Sequence, residues 1–260
     1  MDIQKAAAAL LEAESEKKTI EPFTSTAEEI SVEDAYQIQL CQIRRKVENG
    51  AVIVGKKVGL TSKAMQEMLK VNQPDYGHIL NNMVYNEDEI ISVEPFIQPK
   101  VEFEIAFVLK KDLQGPGITL NDVIEATDYI VPAVEIIDSR IRDWEIKFED
   151  TVADNGSSAG AILGKQSAAI TEVDLADIGM KVYRNGELLD AATSAAVMGN
   201  PALAVAWLAN EIGSYGISLR AGEFILAGAL SKAIAVEAGD TFTAEFDHLG
   251  SVSASFGKSG

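Results

Sequence analysis

Residues 100–107, Lys100-Val101-Glu102-Phe103-Glu104-Ile105-Ala106-Phe107, alternate strictly between two kinds of side chain. Only a strand separates such a pattern, so Val101, Phe103, Ile105 and Phe107 face one way and Lys100, Glu102, Glu104 and Ala106 the other. The first face is wholly apolar, which predicts a central strand whose acidic face is more than a solvated edge. Glu102 and Glu104 then stand about 6–7 Å apart along the chain. Two carboxylates so held repel, and one protonates unless a cation lies between them. Taken alone they could equally be the polar outer face of an amphipathic strand. A third acid shifts the balance. Glu135 lies inside Val131-Pro132-Ala133-Val134-Glu135-Ile136-Ile137, read as a buried strand, where an unpaired charge costs about 3–5 kcal/mol. Three carboxylates without a histidine or cysteine cluster suit a hard, oxygen-seeking ion, Mg²⁺ or Mn²⁺.

The balance of 22 basic against 40 acidic residues leaves a net charge of −18. So acidic a chain repels phosphate backbones and anionic membranes, which excludes non-specific nucleic-acid binding. An anionic substrate would need a local device to overcome that field. The single cysteine, Cys41, excludes an intrachain disulfide framework, and two histidines, His78 and His248, leave little for a histidine-rich centre. The early apolar run at residues 6–11 is too short for a membrane span and has no basic start, so a soluble cytoplasmic protein is expected.

Helices are expected over residues 3–17 and from Ser31, where Asp34 completes a capping box, to Gly50. A strand over 51–59 follows, then a short helix capped by Thr61 and ending near Leu69, a turn cluster at Gln73-Pro74-Asp75-Tyr76-Gly77, and a helix from Thr119 to about residue 130. Asn185-Gly186 signals a two-residue hairpin, and Asn200-Pro201 opens a helix ending at Gly213. Short strands are expected at 223–227, 233–236, 241–246 and 251–256. Helices early and strands late give an α+β fold.

Lys57, at a strand end before Gly59, Thr61 and Ser62, could hold a substrate carboxylate or, desolvated, exchange protons; Lys56 reads as a solvent lysine. Asp75 reads as a turn former with a catalytic alternative. Residues 150–160 are rich in small polar side chains and read as a ligand-facing loop. Within them Gly156-Ser157-Ser158-Ala159-Gly160 formally matches the nucleophile elbow G-x-S-x-G, and Ser158, Asp240 and His248 stand in a legal order for a triad. The elbow needs a strand before it and a helix after it, and neither is predicted. No glycine-rich phosphate cradle is present.

Together and in this order, Gly55-Lys56-Lys57-Val58-Gly59-Leu60-Thr61-Ser62, Gln73-Pro74-Asp75-Tyr76-Gly77, Gln98-Pro99-Lys100-Val101-Glu102-Phe103-Glu104 and Glu135-Ile136-Ile137-Asp138-Ser139-Arg140-Ile141-Arg142-Asp143-Trp144 resemble the fumarylacetoacetate hydrolase superfamily, and within it the 2-keto-4-pentenoate hydratase branch. Residues 150–158 and Leu249-Gly250-Ser251-Val252 continue the likeness. It implies a mixed, fumarylacetoacetase-like β-roll core with an N-terminal helical subdomain, divided as an α/β subdomain over 1–90 and a catalytic β-roll over 91–260. It further implies a divalent metal and a cyclic homo-oligomer, a pentamer or decamer. Carried over by position, Glu102, Glu104 and Glu135 match metal ligands, Lys57 and Asp75 catalytic polar residues, and Thr61, Ser157 and Ser231 substrate contacts. Gly156 departs from the alanine usual in Ala-Asp-Asn-Ala-Ser, which bears on pocket shape. His78 does not match the histidine of the carbon–carbon hydrolases. The activity implied is metal-dependent hydration of 2-hydroxypenta-2,4-dienoate, with metal-dependent decarboxylation of 2-oxo-3-hexenedioate (4-oxalocrotonate) as the sister reaction. A serine hydrolase using Ser158 and a non-catalytic metal-stabilised oligomer lie outside this class.

Overall fold

The computed structural model describes residues 1–26 and 29–258. In chain order it contains α1 (Ile3–Glu16), α2 (Val32–Glu48), β1 (Ile53–Gly59), α3 (Lys63–Leu69), β2 (Asp75–Leu80), β3 (Val84–Tyr85), β4 (Ile90–Ser92) and β5 (Lys100–Leu109). There follow α4 (Leu120–Ala126), β6 (Thr127–Ile137), α5 (Phe148–Ala153), β7 (Ser158–Leu163), β8 (Gly179–Arg184) and β9 (Glu187–Thr193). The chain closes with α6 (Pro201–Gly213), β10 (Phe224–Leu226), β11 (Ile234–Ala235), β12 (Thr241–Phe246) and β13 (Gly250–Gly257). The fold is α+β, a mixed β-roll with helices packed around it.

The first sheet runs β2-β1-β10-β5-β6-β7-β3, with β11 beside β5; the second runs β4-β13-β12-β8-β9. β1 with β10 and β3 with β7 are parallel pairs in an otherwise antiparallel first sheet. Strands from either side of residue 90 therefore share one hydrogen-bonded sheet. Val101, Phe103, Ile105 and Phe107 are fully buried, as their alternation predicts, and Phe103 meets Phe242 of the second sheet at 6.3 Å between ring centroids. The other face of the first sheet is apolar at one end, where Ile79, Ala106, Val131, Ala133, Ala161, Phe224 and Leu226 pack together. Its other end is polar and carries the candidate site.

Two devices fasten the layers there. Gln39 of α2 donates to the carbonyls of Tyr76 and Val152, and Gln42 to that of Ala153. The Asn155 carboxamide accepts from the His78 N–H at 2.8 Å and donates to the His78 carbonyl at 2.9 Å. The turn after α5 is thus seated against the outer edge of β2.

The capping boxes at Ser31/Asp34 and Thr119/Asp122 are present, and Asn185 and Gly186 both adopt left-handed backbone at the β8–β9 hairpin. Four local expectations are corrected. Ser62, not Thr61, caps α3, its hydroxyl accepting from the Met65 N–H. The helix after Thr119 stops at Ala126, because the residues from Thr127 onward pair with β5. The expected turn at 73–77 is entered by a strand from Asp75, buried throughout between β1 and the segment holding Asn155. Residues 150–160 are not one loop: α5, a 3₁₀ turn over Asn155–Ser157 and β7 divide them.

Candidate active site

On β5 the carboxylates of Glu102 and Glu104 share a face, and in the β5–β6 ladder Glu102 stands directly opposite Glu135. Two residues on one strand and a third across from the first form a triangle that needs no loop to hold it. One carboxylate oxygen from each of the three lies within 4.8 Å of the others. Glu104 and Glu135 are fully buried and Glu102 half-buried. Glu104 Oε2 accepts the Gly228 N–H at 2.6 Å, but Glu104 Oε1 and both Glu135 oxygens lack a hydrogen-bond partner among the described residues. Burial holds all three carboxyls above their ordinary range, with mutual repulsion adding at Glu104 and Glu135, and Glu135 is pushed up to about 7.

Orphaned, buried, converging carboxylate oxygens with no imidazole or thiol among them fit a hard divalent cation, whose charge would replace the missing donors. Mg²⁺ and Mn²⁺ are both ions of that kind.

Lys57, on β1, reaches the same face and lies 3.6 Å from Glu135 Oε2, while donating to the Gly156 carbonyl at 3.1 Å. Burial pulls the Lys57 ammonium toward its neutral form, but Glu135, Asp75, Glu102 and Glu104 together outweigh it and hold the lysine protonated. Asp75 opens β2 opposite Gly59; burial raises its carboxyl against the opposing pull of Lys57, and its Oδ1 is unpartnered. A Cβ built on Gly59 would fall 2.1 Å from Asp75 Oδ1 and 2.9 Å from Lys57 Nζ. The glycine is what lets these two groups converge.

Around this centre lie the hydroxyls. Ser157, Ser158 and Ser231 each have a buried, unpartnered Oγ. Thr61 is buried beside Gly228, the residue that donates to Glu104; a Cβ there would sit 2.4 Å from the Thr61 hydroxyl oxygen. Hydrogen bonds from the Ala227 and Leu230 amides to the Ile105 and Phe103 carbonyls draw the loop bearing Ser231 along β5. Glu102, Glu104, Glu135, Lys57 and Asp75 are thus together at one end of one sheet face, with Thr61 beside Gly228 and Ser157 and Ser231 on segments that run along the same sheet.

Lys56 is a correction. It is not a solvent lysine but is buried, its ammonium 2.7 Å from Glu223. Adjacent strand residues point oppositely, and here both faces are covered. The elbow reading also falls. Ser158 begins a strand, Asp240 is held by Arg184, and exposed His248 lines an open cavity of about 690 Å³ in the second sheet with Met180 and Asp247. His78 is structural, its Nδ1 facing Gln39 Oε1 and its pKa pushed down to about 3 by burial and Lys56.

Sequence reasoning gave no separate role to Arg140 and Asp154. Their buried pair spans 2.5 Å, and Arg140 also donates to the Asp154 and Ser158 carbonyls. Between those carbonyls Asn155, Gly156 and Ser157 all adopt left-handed backbone, with φ of 57°, 60° and 55°. One guanidinium thus clamps both ends of the turn that brings Gly156 O to Lys57. A charged triplet, Asp138-Ser139-Arg140, directly after a buried strand was the signal available.

The family model for the fumarylacetoacetate (FAA) hydrolase C-terminal region matches residues 52–256. A 2-hydroxyhexa-2,4-dienoate hydratase of Comamonas testosteroni is 45% identical, covering 95% of this chain and 94% of its own. A 2-hydroxypent-2,4-dienoate hydratase of Pseudomonas putida is 49% identical over 80% of this chain and 95% of its own. The solved structure of 4-oxalocrotonate decarboxylase from Pseudomonas putida G7, complexed with magnesium and adipate, superposes with a TM-score of 0.94 at 38% identity, covering 98% of this chain and 97% of that one.

Proposed function

The chain belongs to the fumarylacetoacetate hydrolase family, and from that premise we propose that it adds water to 2-hydroxypenta-2,4-dienoate to give 4-hydroxy-2-oxopentanoate, in the breakdown of aromatic compounds. The observation that carries this is the convergence of Lys57 and Asp75 on the Glu102–Glu104–Glu135 triangle, beside the turn that bears Ser157. Relatives named as hydratases over nearly the whole chain support it.

Mg²⁺ or Mn²⁺ held by Glu102, Glu104 and Glu135 would supply Lewis-acid polarisation of the substrate's carboxylate and C2 oxygen. The remaining work belongs to side chains. The reaction moves a proton from the C2 hydroxyl to C5, then adds a water oxygen at C4 and a proton at C3. Lys57, protonated and facing Asp75, and Asp75, its carboxyl raised by burial, are the proton carriers within reach of one another. Thr61 and Ser231 contact the substrate, and Ser157 orients it or the attacking water. A homo-oligomer in the cytoplasm is part of the same reading.

The structural likeness to a decarboxylase favours a second reading, loss of CO₂ from 2-oxo-3-hexenedioate at the same carboxylate triangle. Incubation with each substrate, with and without Mg²⁺, separates the two. Hydration adds one water, about 18 Da, and places label from H₂¹⁸O at C4. CO₂ release from the enedioate at a far higher kcat/KM than dienoate hydration would overturn the hydratase assignment.

A further inference from the structure

Along the site face of β5 the side chains run Lys100, Glu102, Glu104, Ala106, the first two half-buried and the last two fully buried. Lys100 therefore ends, on its half-buried side, the row whose next two members are candidate metal ligands. Its ammonium lies 4.0 Å from the centre of the Trp144 ring. Trp144 is itself held there, with its indole N–H donating to the Gln98 carbonyl at 3.2 Å, and Asp143 and Trp144 in left-handed backbone. Two cations deeper in this region are paired: Lys57 faces Glu135 and Arg140 faces Asp154. Lys100 makes no ion pair and no hydrogen bond among the described residues; its ammonium rests on the face of an indole, and the Glu102 carboxylate acts on it through space. An ammonium so placed keeps its donors free while its position is fixed.

We propose that Lys100, positioned by Trp144, is the cation that recruits the substrate carboxylate at first encounter. A chain of net charge −18 repels a small anion at long range. One fixed positive group at the more exposed end of this row opposes the negative field locally, and such groups act on the association rate and its salt dependence more than on the bound state. The proposal rests on the substrate being a small 2-oxo or 2-hydroxy acid, and it assigns Lys100 to capture, leaving proton transfer to Lys57 and Asp75.

The test uses the full chain with saturating Mg²⁺ and 2-oxopentanoate, a saturated analogue that binds as an anion but cannot be hydrated. Trp144 emission, read by stopped flow in a Trp207→Phe background, reports arrival beside Lys100. Lys100→Gln is expected to slow association about five- to tenfold at low ionic strength and to flatten its salt dependence, with dissociation changed less than about twofold. Lys100→Arg is expected to stay within about twofold of the unaltered chain, and unchanged thermal melting shows that each variant is folded. Wild-type association rates and salt dependence in Lys100→Gln would overturn the proposal, as would absence of any binding signal in the unaltered protein. Normal analogue capture in a protein that turns over neither dienoate nor enedioate would sustain it while sinking the hydratase reading.

Discussion

Glu102 and Glu135 oppose one another directly across the β5–β6 ladder, the position in which two like charges destabilise an antiparallel pair most. Glu104, two residues along, completes the repulsion. In the metal-free protein this end of the sheet is therefore electrostatically strained, and several outcomes can be measured from it.

Glu135→Gln is expected to abolish turnover nearly completely while raising the melting temperature of EDTA-treated protein, because removing one charge relieves the other two. Glu102→Gln and Glu104→Gln should behave alike. Differential scanning fluorimetry with and without Mg²⁺ reads both effects: the unaltered protein gains stability with metal and the variants do not. Normal activity of Glu135→Gln in EDTA would dismiss the metal site.

The carboxyl of Glu135 is raised to about 7 in the folded chain from an ordinary 4.5, so between those values the folded state binds more protons than the unfolded. Stability of metal-free protein must then fall as pH rises through that window, being fully present below about 4.5 and lost above about 7. A melting temperature lower at pH 8 than at pH 5 by on the order of 5 °C is expected, and Mg²⁺ should shrink the difference. A metal-free melting curve that rises with pH would contradict the site's electrostatics.

Lys56 and Lys57 should separate cleanly. Lys57→Met is expected to lower kcat about 10²- to 10⁴-fold, as loss of a proton carrier does, with Mg²⁺ affinity nearly kept. Lys56→Met removes the cation facing buried Glu223, leaving only the Arg220 N–H on its carboxylate, and should cost about 3 kcal/mol of stability, with turnover per folded molecule retained. Urea unfolding beside steady-state kinetics distinguishes the two, and equal kinetic losses would mean that the active lysine has been misassigned.

Gly59→Ala inserts a methyl group 2.1 Å from Asp75 Oδ1 and 2.9 Å from Lys57 Nζ. The two groups must part, and a displacement of about 1 Å costs on the order of 10²-fold in rate. The expected result is that loss in kcat with Mg²⁺ binding by calorimetry largely intact. Full activity would show that Lys57 and Asp75 need not face each other.

Much of this was readable before any fold was known, for physical reasons that differ by residue. The alternation at 100–109 identifies its strand because a period of two has no other solution, and Glu135 declares itself as an acid in an apolar run. What could not be read is register. Nothing local says that Glu102 meets Glu135, since that pairing depends on how two strands far apart in sequence slide past one another. Lys56 was misread for the same reason: its partner, Glu223, is 167 residues away. The Arg140–Asp154 clamp stayed hidden because a buried ion pair leaves no periodic trace, only charged residues where polarity looks like a loop. Asp75 shows turn composition overruled, because pairing with β1 places it in a buried strand.

At the outer edge of β2 the Asn155 carboxamide takes both the N–H and the carbonyl of His78, the two groups a neighbouring strand would otherwise claim. One amide side chain stands in for a strand there. If the turn carrying Asn155 were lost, by proteolytic nicking or by failure of the Arg140 clamp, unpaired backbone at that edge would become a template for a second chain. Damage to this turn would then register as self-association as well as lost activity, so that selection for solubility and selection for catalysis bear on the same few residues.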